Sequence, residues 1–540
     1  GLHPHRGLCR LATESGMRTV GQALVAGLKA RGVDVVFGIP GVHTIELYRG
    51  LAGGGIRHVT PRHEQGAAFM ADGYARASGK PGVAFVITGP GLTNALTAMG
   101  QAKADSIPLL VISGVNRRAS LGKGLGLLHE LPDQAAMVRA LCPTERLEDP
   151  ADLEPLLDRA FARLLTGRPG PVHIEIPTDV MPLAAPEGPR APLPKRPGPD
   201  PDQIAKAAHL LNAAQRPVIL AGGGARGTDP LLRHLAERLD APVILTVNAR
   251  GMLHAHPLAV PASPSLDAPR DLIRQADRIL ALGTELGPTD YDMYVRGGFP
   301  DLSTMIRVDV CTDQLARHPA ALTITAETAT TLTALLPQLT QKHANGPARA
   351  ATTRQKARAE LADLHPRMPA QLAMVEAIRD ALPNAQIVGD STQPVYAANL
   401  YYDHDRPGGW FNAATGFGAL GFGPGAAIGA AIATPGTPTL CLIGDGGLQF
   451  DPAELRVAVD EHLPLTFLVW NNASYREIAE AMRDAQTDII GCTPSPLNLA
   501  PFAAACDLPF ASVPEDPASL HAALRQPHTG PRLIEIRVTS

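Results

Sequence analysis

No uninterrupted apolar stretch in this chain approaches the roughly 18 residues that a membrane-spanning helix requires, which argues against a membrane partner. No sustained run of Lys or Arg occurs, and the formal net charge is −4, so no preference for nucleic acid is expected. Six cysteines (Cys9, Cys142, Cys311, Cys441, Cys492 and Cys506) are scattered without a C-x-x-C pair. Neither a zinc site nor a disulfide framework is indicated, and a reducing, cytoplasmic setting is the expectation. Short internal repeats and low-complexity tracts are absent. The first residues lack the apolar core of a signal peptide, and residues 1–16 read as an N-terminal extension before Met17.

What remains is a long globular chain. Its 540 residues are 45% hydrophobic and 19% charged, enough for three or four domains with substantial cores. Apolar runs such as Val33–Phe37, Val83–Ile87 and Leu109–Ile112 alternate with Ala-rich helical stretches over residues 17–185, the pattern of a doubly wound parallel α/β sheet. A Pro-rich linker follows at 186–201. Three apolar strands, Val218–Leu220, Val243–Val247 and Arg278–Leu282, mark a middle α/β domain over 202–340. Residues 341–368 form a charged, partly helical connector, and 369–540 a last α/β unit.

The most specific chemistry lies in that last unit. Thr439–Ile443 reads as a buried strand ending in Gly444-Asp445-Gly446-Gly447, and Leu465–Trp470 as the next parallel strand, ending in Asn471-Asn472. Asn472 stands 27 positions after Asp445, so two neighbouring strand ends face one crevice. A carboxylate (Asp445), an amide oxygen (Asn472) and a nearby backbone carbonyl (Ser474) suit Mg²⁺, which keeps phosphate and water as its other ligands. Gly446 and Gly447 let the backbone approach phosphates. This pattern resembles the metal–diphosphate motif of thiamine diphosphate (ThDP) enzymes.

A second segment agrees. Arg62-His63-Glu64-Gln65-Gly66-Ala67-Ala68-Phe69-Met70 follows a short strand, Ile56–Thr60, and opens an Ala-rich helix that places Glu64 in an apolar crevice. It resembles the segment carrying the catalytic glutamate of ThDP enzymes. The resemblance implies that Glu64 hydrogen-bonds N1′ of the aminopyrimidine and, as general acid/base, favours the tautomer whose 4′-nitrogen deprotonates C2. In Gly416-Phe417-Gly418-Ala419-Leu420-Gly421-Phe422-Gly423, it implies that Leu420 wedges the cofactor into a bent shape. The Gly418 carbonyl and Leu420 amide would bind the pyrimidine edge. The same stretch satisfies G-x-G-x-x-G, but Trp410–Thr415 before it shows no clear strand pattern, so a dinucleotide site is not expected. Gly222-Gly223-Gly224 reads as a structural turn.

The resemblance covers nearly the whole chain and matches the acetolactate synthase and pyruvate oxidase group, with pyrimidine-binding (17–185), middle and diphosphate-binding domains. It implies a homodimer at minimum, doubled to a homotetramer, with active sites between the first domain of one subunit and the last of its partner. Pro40, Pro90 and Asn94 lie in loops that resemble those touching the cofactor rings. Pro261–Ser265 and Gly283–Leu286 do not resemble FAD-binding loops, so FAD is not expected. Against pyruvate decarboxylases, His129-Glu130 and Ile478 retain only part of a proton relay.

The wording of residues 38–50, with Ser120–Gly124 and His129-Glu130, is most similar to 5-guanidino-2-oxopentanoate decarboxylases. That implies a 2-oxo acid substrate whose guanidinium pairs with a carboxylate, for which Glu130, Glu285 and Glu477 are candidates. His43 and His129 are candidate proton donors in the catalytic cycle. An acetolactate synthase-like carboligase acting on pyruvate is the alternative, since Glu64, Asp445 and Asn472 serve both outcomes. A non-catalytic homologue is disfavoured by the intact Glu64.

Overall fold

The computed structural model describes residues 16–196 and 198–539; the N-terminal extension, apart from Gly16, lies outside them, as does Cys9. Two compact units are formed. The first comprises the described residues up to Lys195 together with Pro424–Pro435 and Phe450–Leu465. The second comprises those of Arg196–Gly423, Gly436–Gln449 and Thr466–Ser540.

The first unit holds a six-stranded sheet of β1 (Val35–Gly38), β2 (Arg57–Val59), β3 (Gly82–Val86), β4 (Leu109–Val115), β5 (Thr144–Arg146) and β6 (Pro171–Pro177). The strands are parallel, in the order β2-β1-β3-β4-β6-β5. β3, β4 and β6 are buried throughout, as a sheet covered by helices on both faces requires. Winding reverses between β1 and β3. A ligand crevice is expected beyond the carboxyl ends of such a pair.

The second unit holds two more parallel sheets. One contains β7 (Pro217–Ala221), β8 (Val243–Leu245), β9 (Ala259–Val260), β10 (Arg278–Leu282), β11 (Met305–Asp309) and β12 (Leu322–Thr325), in the order β12-β11-β10-β7-β8-β9. The other contains β13 (Gln386–Gly389), β14 (Trp410–Asn412), β15 (Thr439–Gly444), β16 (Leu465–Asn471), β17 (Phe510–Pro514) and β18 (Arg532–Arg537), in the order β14-β13-β15-β16-β18-β17. This last order repeats that of the first sheet, so its reversal falls between β13 and β15.

Two expectations need correction. Trp410–Asn412 is a strand, paired in register with β13 (Ile387 opposite Trp410), although its sequence looked unpatterned. The buried Asn412 is tolerated because its amide exchanges hydrogen bonds with Asn399 at 2.8 and 3.0 Å, while Trp410 Nε1 donates to the same Asn399. The middle sheet also has six strands where three were expected. β11 is masked by Arg307, a fully buried guanidinium that donates to the carbonyls of Gln314, Thr284 and Glu285.

Within the second unit one apolar core runs from β7 and β10 to β13, β15 and β16, through Val218, Ile279, Tyr402, Ile387, Leu440 and Trp470. The helix Gly346–Leu364, in the charged connector, contributes Ala350, Ala357 and Leu361 to it. A backbone seam crosses this core, with Tyr402 N–H donating to Pro261 O and Ser263 N–H to Leu400 O. Arg250 fastens it. Its fully buried guanidinium donates to Leu245 O (3.0 Å), Ala398 O (2.8 Å), Asn399 O (2.7 Å) and Tyr402 O (3.2 Å). Burial lowers its pKa to about 10, which leaves it charged at neutral pH. Replacement Arg250→Ala strands these carbonyls and is expected to cost on the order of 3 kcal/mol, read as a lower urea midpoint. Arg250→Lys should not restore it, because an ammonium cannot fork to several acceptors. A wild-type midpoint in either variant would contradict this role.

Candidate active site

In the first unit the site residues gather where β1 and β3 part. Glu64 is the first residue of the helix Glu64–Ser78, half-buried against a flank of fully buried Ala67, Ala68 and Phe69. Its Oε2 accepts from Asn94 Nδ2 at 2.9 Å. Asn94 belongs to the helix Pro90–Ala104, which starts directly after β3, and Pro40 follows β1; both prolines are exposed at the crevice. Gly89 is required at its position: its φ is +69°, and a Cβ there would lie 2.5 Å from His129 O.

His43 and His129 come together. Their ring centroids are 5.3 Å apart at 81°, and His43 Nδ1 lies 2.9 Å from Thr88 Oγ1. Gln134, which the sequence reading did not single out, pins this loop by accepting from Gly89 N (2.9 Å) while donating to Gly114 O and Glu175. Glu454 was also missed. It is buried and accepts from the backbone N–H groups of Arg62 and His63, immediately before Glu64.

The second unit builds the other set between β13 and β15. Asp445, at the end of β15, is 6% exposed, and its Oδ1 accepts from Asn472 N at 3.3 Å. Burial raises its pKa despite hydrogen bonds from the Asn472 and Gly446 amides, so this carboxylate favours a cation beside it. The two asparagines divide their work. Asn471 turns to Glu535 (Nδ2–Oε1 2.7 Å), whereas Asn472 reaches Gln393 (Nδ2–Oε1 3.4 Å) and accepts from Ser474 N at 3.2 Å.

Below them the glycines form a tight cradle. A Cβ on Gly446 would lie 2.4 Å from the Tyr475 ring, and one on Gly447 3.3 Å from Asp390 Oδ1. Asp390 in turn accepts from Gly423 N (2.9 Å) and Ser391 N (2.8 Å). Asp390 and Gln393 went unnoticed in the sequence, although Gly389-Asp390 closes β13 as Gly444-Asp445 closes β15. Gly418 has φ +77°, reserving that turn for glycine, and Leu420 beside it is half-buried. A buried acid, an amide oxygen and a glycine cradle fit Mg²⁺ carrying a diphosphate. Among the described residues no group of three or more His, Cys, Asp or Glu side chains could hold a metal, so such an ion needs amide, backbone and phosphate ligands here.

The three candidate guanidinium partners are far from equivalent. Glu130 spends its carboxylate on Leu125 N (3.1 Å) and Leu127 N (2.9 Å), which hold its pKa below the usual range. Glu285 is exposed beyond the end of β10. Glu477, on the exposed side of the helix Arg476–Asp484, has its pKa raised by desolvation of the carboxyl and then by Glu480, and it bonds Gln393, the partner of Asn472.

Three family models cover the chain: the N-terminal TPP-binding domain of thiamine pyrophosphate enzymes over residues 18–137, their central domain over 204–335 and their C-terminal TPP-binding domain over 390–536. The chain belongs to the thiamine pyrophosphate enzyme family. Thiamine pyrophosphate is ThDP, so the cofactor expected from the two motifs is that of the family. Among relatives of this thiamine pyrophosphate enzyme, the probable 2-ketoarginine decarboxylase AruI of Pseudomonas aeruginosa is 45% identical over 88% of this chain and 86% of its own. The large subunit of acetolactate synthase isozyme 1 of Escherichia coli is 29% identical over 96% and 94%. That of isozyme 3 is 31% identical over 84% and 82%.

Asp445 offers a test of the cradle. A buried carboxylate with a raised pKa contributes stability below its unfolded pKa and loses it as pH rises through the folded one, so without cofactor it is a burden at neutral pH. Asp445→Asn should therefore leave the cofactor-free protein at least as stable as wild type at pH 7.5. The rise in Tm on adding ThDP and Mg²⁺ should vanish. Retention of that rise would contradict the assignment.

Proposed function

We propose that this enzyme decarboxylates a 2-oxo acid with ThDP and Mg²⁺, and that the acid is 5-guanidino-2-oxopentanoate (2-ketoarginine), released as 4-guanidinobutanal and CO₂ in the breakdown of transaminated arginine. The observation that carries the substrate is the 45% identity to AruI over 88% of the chain. The acetolactate synthases are more distant, at 29% and 31%.

Bound ThDP supplies the electron sink that allows a 2-oxo acid to lose CO₂. Asp445, Asn472 and the Ser474 carbonyl would hold Mg²⁺, and Gly446 and Gly447 would admit the diphosphate. Gly418 and Leu420 would hold the rings, and Pro40, Pro90 and Asn94 would contact them. Glu64 would hold a proton at N1′ of the aminopyrimidine, its carboxyl oriented by Asn94 Nδ2 at 2.9 Å. His43 or His129 would hand a proton to the product carbon, with Thr88 fixing the His43 ring.

Glu477 ranks first as guanidinium partner. Its pKa is raised by desolvation and then by Glu480, against smaller opposing effects of Gln393 and His365, and a guanidinium beside it would favour the charged form. Glu130 is already committed to its own loop. FAD is not part of this reading.

The working assembly is a homodimer at minimum, doubled to a homotetramer, in which Glu64 of one subunit serves a cofactor held by the other. Val42, Ile45, Leu125 and Leu128, 49–57% exposed around the histidine pair, suit such a partner. A cytoplasmic location is proposed with it; among the described residues no helix is long and apolar enough to cross a membrane.

The test is CO₂ release from pyruvate, branched-chain, aromatic and guanidino 2-oxo acids, with products identified by mass. Selective conversion of the guanidino acid to its aldehyde is expected, and acetolactate from pyruvate would overturn the reading. Glu477→Gln should raise KM for the guanidino acid by about tenfold or more, with little change for an uncharged 2-oxo acid. Equal effects on both substrates would remove Glu477 from that role.

A further inference from the structure

Behind Glu64 lies a buried acid pair that the proposed reaction does not use. Glu454 is 1% exposed and Asp451 5%; both lie on the turn Asp451–Glu454 that leads into the helix Leu455–Asp460. Glu454 Oε1 accepts from Arg62 N at 3.1 Å and His63 N at 2.8 Å, and its Oε2 approaches Arg62 N at 3.2 Å. Asp451 Oδ2 accepts from Gln65 Nε2 at 3.3 Å, and its Oδ1 lies 3.7 Å from His63 Nδ1. Gly66 is packed so closely that a Cβ there would lie 2.4 Å from Glu454 Oε1.

Four of the five residues from Arg62 to Gly66 thus meet this one turn, and Glu64 takes its partner from Asn94. His63, the residue that caps the helix, makes no side-chain cap bond, so the entry of the chain into the helix is set by Glu454 from outside. Burial, reinforced by Asp451, pushes Glu454 up to about 7, and burial pushes Asp451 up to about 6. Two buried acids on one turn are costly for stability alone. Their contacts converge on the peptide that aims Glu64.

We propose that Glu454 is a positioning residue for Glu64: by accepting the Arg62 and His63 N–H groups it fixes the first turn of the helix Glu64–Ser78 and with it the direction of the Glu64 carboxylate. The inference rests on the role proposed for Glu64, and the test separates the two.

Full-length Glu454→Ala and Glu454→Gln are compared with wild type by kcat, KM and amide hydrogen exchange at residues 62–64, the last measured without cofactor. The alanine variant should exchange those amides about tenfold faster and lose kcat by about tenfold or more, with KM within about twofold. Glutamine keeps an acceptor and should restore protection and most of kcat. Should the alanine variant not fold, Gly66→Ala displaces the same carboxyl and should reproduce the pattern. Unchanged exchange overturns the proposal whatever happens to kcat, and so does faster exchange with wild-type kcat. Turnover surviving in Glu64→Gln would instead remove the role of Glu64, and the exchange readout is independent of that result.

Discussion

A parallel sheet whose connections wind away in both directions from a central strand pair leaves a crevice above that pair which no crossover covers. That constraint decides where chemistry sits in this enzyme. Pro40, Pro90 and Asn94 cluster beyond β1 and β3, while Asp390, Gln393 and Asp445 stand beyond β13 and β15, because the two sheets share one strand order. The middle sheet reverses between β7 and β10, but there Gly222–Gly224 and Gly283 pack backbone to backbone, with Gly224 N donating to Gly283 O. Local pairing explains that glycine run without a ligand.

Electrostatics then divides the labour. Asp445 is buried and accepts from the Asn472 amide, and burial raises its pKa, an environment in which a cation would favour its charged form. Glu64 keeps one amide partner and partial exposure at the start of a helix, which suits a group that must exchange a proton with a ligand. The rings of His43 and His129 meet at 5.3 Å in the same unit as Glu64. The two carboxyls differ in burial and partners; Asp and Glu themselves differ by a single methylene.

Much of this was legible in the sequence because it is local. Asp445 and Asn472 terminate apolar strands, Glu64 opens a helix after one, and each carries a recognisable flank. What escaped detection depends on contacts across hundreds of residues. Glu454 meets Arg62 and His63 only after folding, and Gln134 reaches Gly89 and Gly114 by a side chain with no local pattern. β14 and β11 were obscured because Asn412 and Arg307 are polar residues in buried strands, made acceptable by Asn399 and by three carbonyls. The separation of Asn471 from Asn472 likewise needed Glu535, whose position is set by β18. That Glu130 is engaged by Leu125 and Leu127 was also invisible before folding.

We propose that Glu64 activates a cofactor held by Asp445 and Asn472. The most direct measurement is the rate at which the C2 proton of enzyme-bound ThDP exchanges with deuterium, followed by rapid acid quench and NMR, in wild type and in Glu64→Gln at saturating ThDP and Mg²⁺. Much faster exchange is expected on the wild-type enzyme than in free cofactor, with a return to near the free rate in the variant while the cofactor stays bound. Exchange in the variant as fast as in wild type would contradict it.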